Sequence, residues 1–345
     1  MHVYSAHAVE DGVTQYLRTY VSHWDNIAFL SDGQLAQKIS DDGIDILIDL
    51  SGHTGKNRLL SFARKPAPIQ ASWMGYPGTT GLRAMDYYFA DRYLAPPELC
   101  EDRFTEKLIY LPSNAPFQPF PAAPSVNDLP ALEKGFITFG SFNRASKLTV
   151  ETVALWSALL RALPSARLTL GGMSLDGGYD QLIDAFVGEG VASERLCFYP
   201  RTTMGEYLEL HHQVDICLDT FPYVGGTTTC HALWMGVPTL TVAGLTPACR
   251  AGASILANLG LDTFVARDRA DFVQKGIACA NDLANLAVLR ANLRLRCAES
   301  PALQPVTIAS AFERALRIVW QRWCKGLSTI SLDVSLPDKS QKITP

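Results

Sequence analysis

Apolar and polar positions alternate along this chain between short buried-strand runs and stretches of helical spacing. HVYSA opens as a strand, residues near 13–22 have helical spacing, DNIAFL reads as a second short strand and LAQKI sits in a second helix. The run from Ile44 to Leu50 (IDILIDL) is a continuous apolar strand ending in Ser51-Gly52-His53-Thr54-Gly55. IQASWMG, DYYFAD and KLIYLP complete this first series. Residues 113–132 are rich in proline and lack periodicity, which predicts a linker. A second series follows: strands at FITFGSF, RLTLGG, RLCFYP, ICLDT and TLTVAG, interleaved with helices at 149–162, 179–188, 205–212 and 228–235. Helices are expected again at about 247–258, 269–281, 284–297 and 305–323.

Repeated β-α units predict parallel sheets, and two such series predict an α/β protein of two Rossmann-like lobes. The expected layout is a first lobe at 1–112, a linker at 113–132, a second lobe at 133–325 and a flexible tail at 326–345. Ile308, Phe312, Leu316, Val319 and Trp323 place one apolar face on the helix that closes the second lobe. Ligands are expected at the carboxyl ends of the strands.

Composition narrows the function classes. A net charge of −4 argues against a nucleic-acid partner. No apolar run reaches the roughly 18 residues that cross a bilayer, so no membrane association is expected. The first 30 residues are polar, without the pattern of a secretory signal. The eight cysteines are scattered and contain no CxxC pair, so they read as reduced thiols of a cytoplasmic protein and not as a zinc site.

The most informative stretch is VDICLDTFPYVGGTTTCHALWMGVP, at 214–238. A buried strand closed by Asp219-Thr220 turns through Gly225 and Gly226 into a helix. Such a turn leaves free backbone N–H groups and a positive dipole end, which favour phosphate. Thr227, Thr228 and Thr229 add uncharged donors; the bland alternative is a threonine-capped helix. Lys147, just before the helix at 149–162, can reach a phosphate or simply stand solvated. Gly52–Gly55 and Gly75–Gly81 form two glycine-rich rims at strand ends of the first lobe, and His53 is either a sugar contact or a capped loop histidine. No D-x-D pair occurs, so diphosphate would be neutralised by the helix end and Lys147 without a metal or other cofactor.

Several blocks resemble the catalytic region of the protein O-linked N-acetylglucosamine transferase family, which includes SPINDLY-type proteins. They are IDLSGHTGKNRLLSFARKPAPIQASWMGYPGTTG, MDYYFADRYLAPPE, EKLIYLP, FGSFNRASKLT and DICLDTFPYVGGTTTCHALWMGVP, in order across about residues 1–320. The resemblance implies a GT-B fold and inverting, metal-independent transfer of N-acetylglucosamine from UDP-GlcNAc to serine or threonine of a protein acceptor. By position, Lys147 matches a lysine on the diphosphate, and Arg144 stands where the animal enzyme has a uridine-side glutamine. Thr227 and Thr228 match paired phosphate-binding threonines. Gly226 replaces a histidine of animal members, His231 replaces an acid used on the ribose, and Tyr207 replaces a histidine near the phosphate. Thr202, Thr203 and Met204 align with the loop that wraps uracil through its backbone. Tyr76 falls in the GYPGT loop at the cleft, and Asp11 matches an acidic position proposed to assist proton transfer.

Two departures accompany the match. The chain starts after the segment that carries the family's proposed histidine base, and no repeat of roughly 34 residues precedes the lobes. The expectation is therefore a first lobe lacking one β-α unit, in a chain that binds nucleotide through its second lobe yet transfers sugar slowly or not at all. A SPINDLY-type protein O-fucosyltransferase, another GT-B enzyme such as an epimerase, and a non-catalytic nucleotide-binding fragment stay open as alternatives.

Overall fold

The computed structural model describes residues 1–114, 116–300 and 304–335. It divides into two compact units, the first built from residues 1–90, 100–111 and 311 onward, the second from 91–99 and 112–310.

In chain order the elements are β1 (His2–Ser5), α1 (Gly12–Arg18), β2 (His23–Asn26), α2 (Asp32–Asp41), β3 (Ile46–Asp49), α3 (Leu59–Phe62), β4 (Ile69–Ser72), β5 (Tyr87–Ala90), α4 (Pro97–Cys100) and β6 (Lys107–Tyr110). They continue with α5 (Pro130–Lys134), β7 (Thr138–Ser141), α6 (Val150–Ala162), β8 (Arg167–Met173), α7 (Asp180–Gly188), β9 (Leu196–Pro200), α8 (Met204–Glu209), β10 (Ile216–Leu218) and α9 (Thr227–Trp234). The last are β11 (Thr239–Val242), α10 (Ala251–Asn258), β12 (Val265–Ala266), α11 (Arg269–Asn281), α12 (Leu283–Glu299), α13 (Pro305–Cys324) and β13 (Leu332–Asp333).

The first unit carries a parallel sheet ordered β13-β6-β5-β4-β3 and a separate parallel pair, β1 with β2. Every residue of β4 and β5 is buried, as expected of strands covered on both faces. One core joins Ile69, Tyr87, Phe89 and Ile109 of the sheet to Ala311, Ala315 and Val319 of α13. Phe312 stacks at 4.8 Å on Trp73 and lies 4.8 Å from Phe89. The C-terminal part of the expected layout is thereby corrected in two places. From Ala311 the closing helix belongs to the first unit, because its apolar face finds the aromatic surface of that sheet. The expected tail contains an edge strand, β13, in register with β6 (Leu332↔Ile109). Residues 336–345 of that tail lie outside the described residues.

The second unit is a six-stranded parallel sheet ordered β9-β8-β7-β10-β11-β12. Counted from its first strand this is 3-2-1-4-5-6, the doubly wound order, and its direction reverses between β7 and β10. Its core centres on Trp156, Phe139, Leu168, Ile216, Leu240 and Phe272, all fully buried. The expected linker is fastened to this unit. Arg290, 1% exposed, donates to the Asn127 carbonyl and to the Val214 carbonyl at 2.8 Å each. Buried Asp215 accepts from the N–H of Ala131 and of Thr138, also at 2.8 Å. Pro130 starts α5, and Gly135 ends it at φ 73°, a conformation only glycine adopts cheaply.

Candidate functional site

The carboxyl ends of β7 and β10 flank the point where the strand order of the second unit reverses, the place where such sheets bind ligands. Beyond β10 the chain turns through Tyr223, Val224 and Gly225 into α9. Gly226 is the N-cap of α9 and provides no side-chain cap, so the first-turn N–H groups are not claimed by a capping oxygen. The threonine-capped alternative is therefore not what forms. Thr227 is exposed, and the Thr228 hydroxyl donates to Asn143 Oδ1 at 3.1 Å, which ties α9 to the loop after β7. A Cβ on Gly225 would lie 2.7 Å from Thr228 Oγ1 and 3.1 Å from Asn143 Oδ1, so only glycine lets these groups converge.

Lys147 is half-buried beside this turn. Its ammonium donates to the Val224 carbonyl at 2.8 Å and lies 4.4 Å from the centre of the Tyr223 ring. Burial holds its pKa below the ordinary lysine value, Asp219 opposes that shift, and Arg144 reinforces it. Arg144 is exposed at the same loop. A cation held this way has shed much of its hydration, which strengthens its attraction for an anion.

Asp219, together with Asn143, organises the site and is absent from the sequence-derived residues. Its carboxylate accepts from the N–H of Gly225 at 2.6 Å, the N–H of Thr220 at 3.0 Å and the hydroxyl of Thr241 at 2.8 Å. Complete burial pushes its pKa up to about 6, against those hydrogen bonds and the Lys147 charge. The available signal was an acid closing a buried strand immediately before a glycine turn, where an uncompensated carboxylate would be costly.

The remaining second-unit residues fall in two places. Thr203 caps α8 in a reciprocal box with Glu206, and the Thr202 hydroxyl also donates to the Glu206 carboxylate. Both hydroxyls are thus occupied internally, and Met204 begins the helix. Thr202 lines a cavity of ≈ 330 Å³ with Tyr199, Pro200, Glu206, Leu210 and Gln213. Tyr207 and His231 meet each other: the phenol oxygen is 3.2 Å from His231 Nδ1, and Phe117 packs edge-on against that imidazole.

In the first unit, His53 and Tyr76 come together, and Asp11 is the N-cap of α1. His53 Nε2 is 3.1 Å from the Thr79 carbonyl, and its ring meets Tyr76 edge-on at 5.4 Å. Gly52, at φ 53°, brings the two rims close enough that a Cβ would lie 2.7 Å from that of Tyr76. Buried Glu106 anchors the second rim through the Thr79 hydroxyl and the Thr80 N–H, at 2.7 Å each. The Asp11 carboxylate accepts from the N–H and the hydroxyl of Thr14 at 2.8 Å, which holds its pKa below the usual carboxylate range.

All eight cysteines are free thiols. Among the described residues one trio of metal-capable side chains gathers, His2, Asp25 and Asp42. The Lys38 ammonium already bridges its carboxylates at 3.3 and 3.1 Å. No helix of the described residues is long and apolar enough to cross a membrane.

Comparison with known proteins agrees with this architecture. Residues 4–117 and 126–310 match the model of glycosyl transferase family 41. The chain is 36% identical over 332 residues to the "probable UDP-N-acetylglucosamine--peptide N-acetylglucosaminyltransferase SPINDLY" of Arabidopsis thaliana, covering 94% of this chain and 36% of that protein. It is 28% identical over 323 residues to the similarly named SEC of the same plant, covering 90% of this chain and 33% of SEC. Among solved structures, a mutant O-GlcNAc transferase of Thermobaculum terrenum superposes with a TM-score of 0.87 at 38% identity, covering 94% of this chain and 62% of that one. HepE of Anabaena, solved in complex with UDP, shares the fold, with a TM-score of 0.55 at 16% identity and 92% of each chain covered. The chain thus spans about a third of the length of the curated relatives it matches. The two parallel-sheet units are those of the GT-B class, and the chain belongs to glycosyl transferase family 41.

Proposed function

We propose that the second unit binds UDP-N-acetylglucosamine at the β7/β10 ends and that the protein transfers the sugar to a serine or threonine hydroxyl of a protein acceptor. The observation that carries this reading is the uncapped start of α9 together with a half-buried Lys147 held on the turn that leads into it. In the proposed reaction the acceptor oxygen attacks the anomeric carbon from the face opposite the nucleotide. The bond from that carbon to the diphosphate breaks, and UDP leaves with the electron pair. Lys147, the α9 N–H groups and the Thr227 and Thr228 hydroxyls would stabilise the charge developing on the diphosphate, with no metal in the scheme. Arg144 and the α8 loop would face the uridine, and the ionised Asp11 would assist removal of the acceptor proton. Names of relatives 34% and 36% identical, which specify UDP-N-acetylglucosamine and a peptide, support the donor and acceptor classes.

The test is transfer of labelled sugar to an acceptor peptide, with UDP-GlcNAc and GDP-fucose as competing donors. UDP-GlcNAc is expected to be used, Lys147→Ala to lower kcat by roughly 10²–10³, and Asp11→Asn, which retains a capping oxygen, to lower it by roughly 10². Preference for GDP-fucose would replace the donor assignment, and undiminished transfer by Lys147→Ala would overturn the site.

A further inference from the structure

His231 lies one turn beyond Thr227 on α9, so both occupy the same helix face, next to the glycine turn. Its Nδ1 is 3.2 Å from the Tyr207 hydroxyl oxygen. The Tyr207 ring is itself held: Phe142 meets it edge-on at 5.7 Å and His211 at 5.2 Å, while Phe142 and His211 pack on each other at 4.2 Å. His211 is fully buried, with Nδ1 near the Tyr207 and Leu208 carbonyls. Two rings, Phe142 and His211, thus fix where the phenol points.

We propose that Tyr207 is a positioning residue that fixes the tautomer of His231, so that His231 offers an Nε2–H donor to an acceptor oxygen of the bound nucleotide. The inference rests on the site proposed above. A half-buried phenol packed between two rings gains from an acceptor, and His231 Nδ1 is the one at hand. Were the imidazole to donate instead, the half-buried Tyr207 O–H would lose the acceptor that His231 Nδ1 gives it. With Nδ1 accepting, a neutral ring carries its proton on Nε2. Burial supports neutrality of both, raising the Tyr207 pKa and lowering that of His231. The ligand group met here is then a lone-pair donor, a ribose hydroxyl or phosphate oxygen.

Nitrogen-15 long-range correlation spectra of the free full chain at neutral pH read the tautomer without any nucleotide. The Nε2–H form is expected for His231 in the wild type, and a mixed population in Tyr207→Phe, which keeps the ring and removes the hydroxyl. An Nδ1–H form in the wild type, or an unchanged spectrum in Tyr207→Phe, would overturn the proposal. Calorimetry with UDP then separates this inference from the site assignment. Tyr207→Phe and His231→Glu should each weaken binding about 5–10-fold, while His231→Gln, whose amide restores a donor, should stay within about 3-fold of wild type. Equal loss in Gln and Glu variants would overturn the donor role. Absence of UDP binding by wild type would overturn the site, leaving the spectra to decide the tautomer.

Discussion

Two adjacent glycines at the turn into α9 have opposite tolerances. A methyl at Gly225 would press on Thr228, Thr229 and Asn143 oxygens at 2.7 to 3.1 Å, whereas at Gly226 nothing lies within 4 Å. Gly225→Ala should therefore lose UDP binding and lower the melting temperature, and Gly226→Ala should leave the melting temperature unchanged; equal behaviour in thermal melts and titration would contradict this geometry. Asp219 gives a second prediction at this scale. Its folded pKa of about 6 stands above the ordinary 3.8. In that window the folded state holds a proton the unfolded chain has released. The associated stability is complete below pH 3.8 and is lost as pH rises through about 6. The unfolding free energy of wild type relative to Asp219→Asn should fall by on the order of 3 kcal/mol across that window. A pH-independent difference would show that Asp219 does not titrate there. Asp219 was hidden from sequence reasoning because its partners, Gly225 and Thr241, come from a turn and a neighbouring strand that only the folded sheet assembles.

At the scale of elements, most strands and the long helices were legible because they obey one period throughout. IDILIDL became β3, and the run before Asp219-Thr220 became β10. What the pattern missed is short or held by distant partners: α3 and α4 are four residues each, β12 is two, and β13 exists only because β6 offers it an edge. The expected strand at DNIAFL forms earlier, at His23–Asn26, where it pairs in register with His2–Ser5, and Ile27 then enters the core. Element α9 also separates capping from ligand binding. Because Gly226 leaves it without a side-chain cap, replacing Thr227 and Thr228 with valine removes no cap. The double variant should keep its melting temperature within a few degrees and lose about 10-fold or more in UDP affinity. Loss of thermal stability with intact affinity would return these threonines to a structural role.

For the whole molecule, the division into two α/β units was readable from strand-loop-helix order. The assignment of chain to units was not. The closing helix joins the first unit because Phe312 finds Trp73 and Phe89, and the proline-rich segment joins the second because Arg290 and Asp215 fasten it. Such choices depend on which apolar or polar surface remains uncovered, which local periodicity does not encode. The central claim is that the second unit holds a nucleoside diphosphate by backbone N–H groups and Lys147. Calorimetric titration of UDP into wild type and Lys147→Ala, each with and without EDTA, tests it most directly. The account predicts that wild type binds UDP equally well in EDTA and that Lys147→Ala binds about 10–100-fold more weakly, as expected for one charge-assisted contact. Equal affinity of the two proteins, or binding abolished by EDTA, would contradict it.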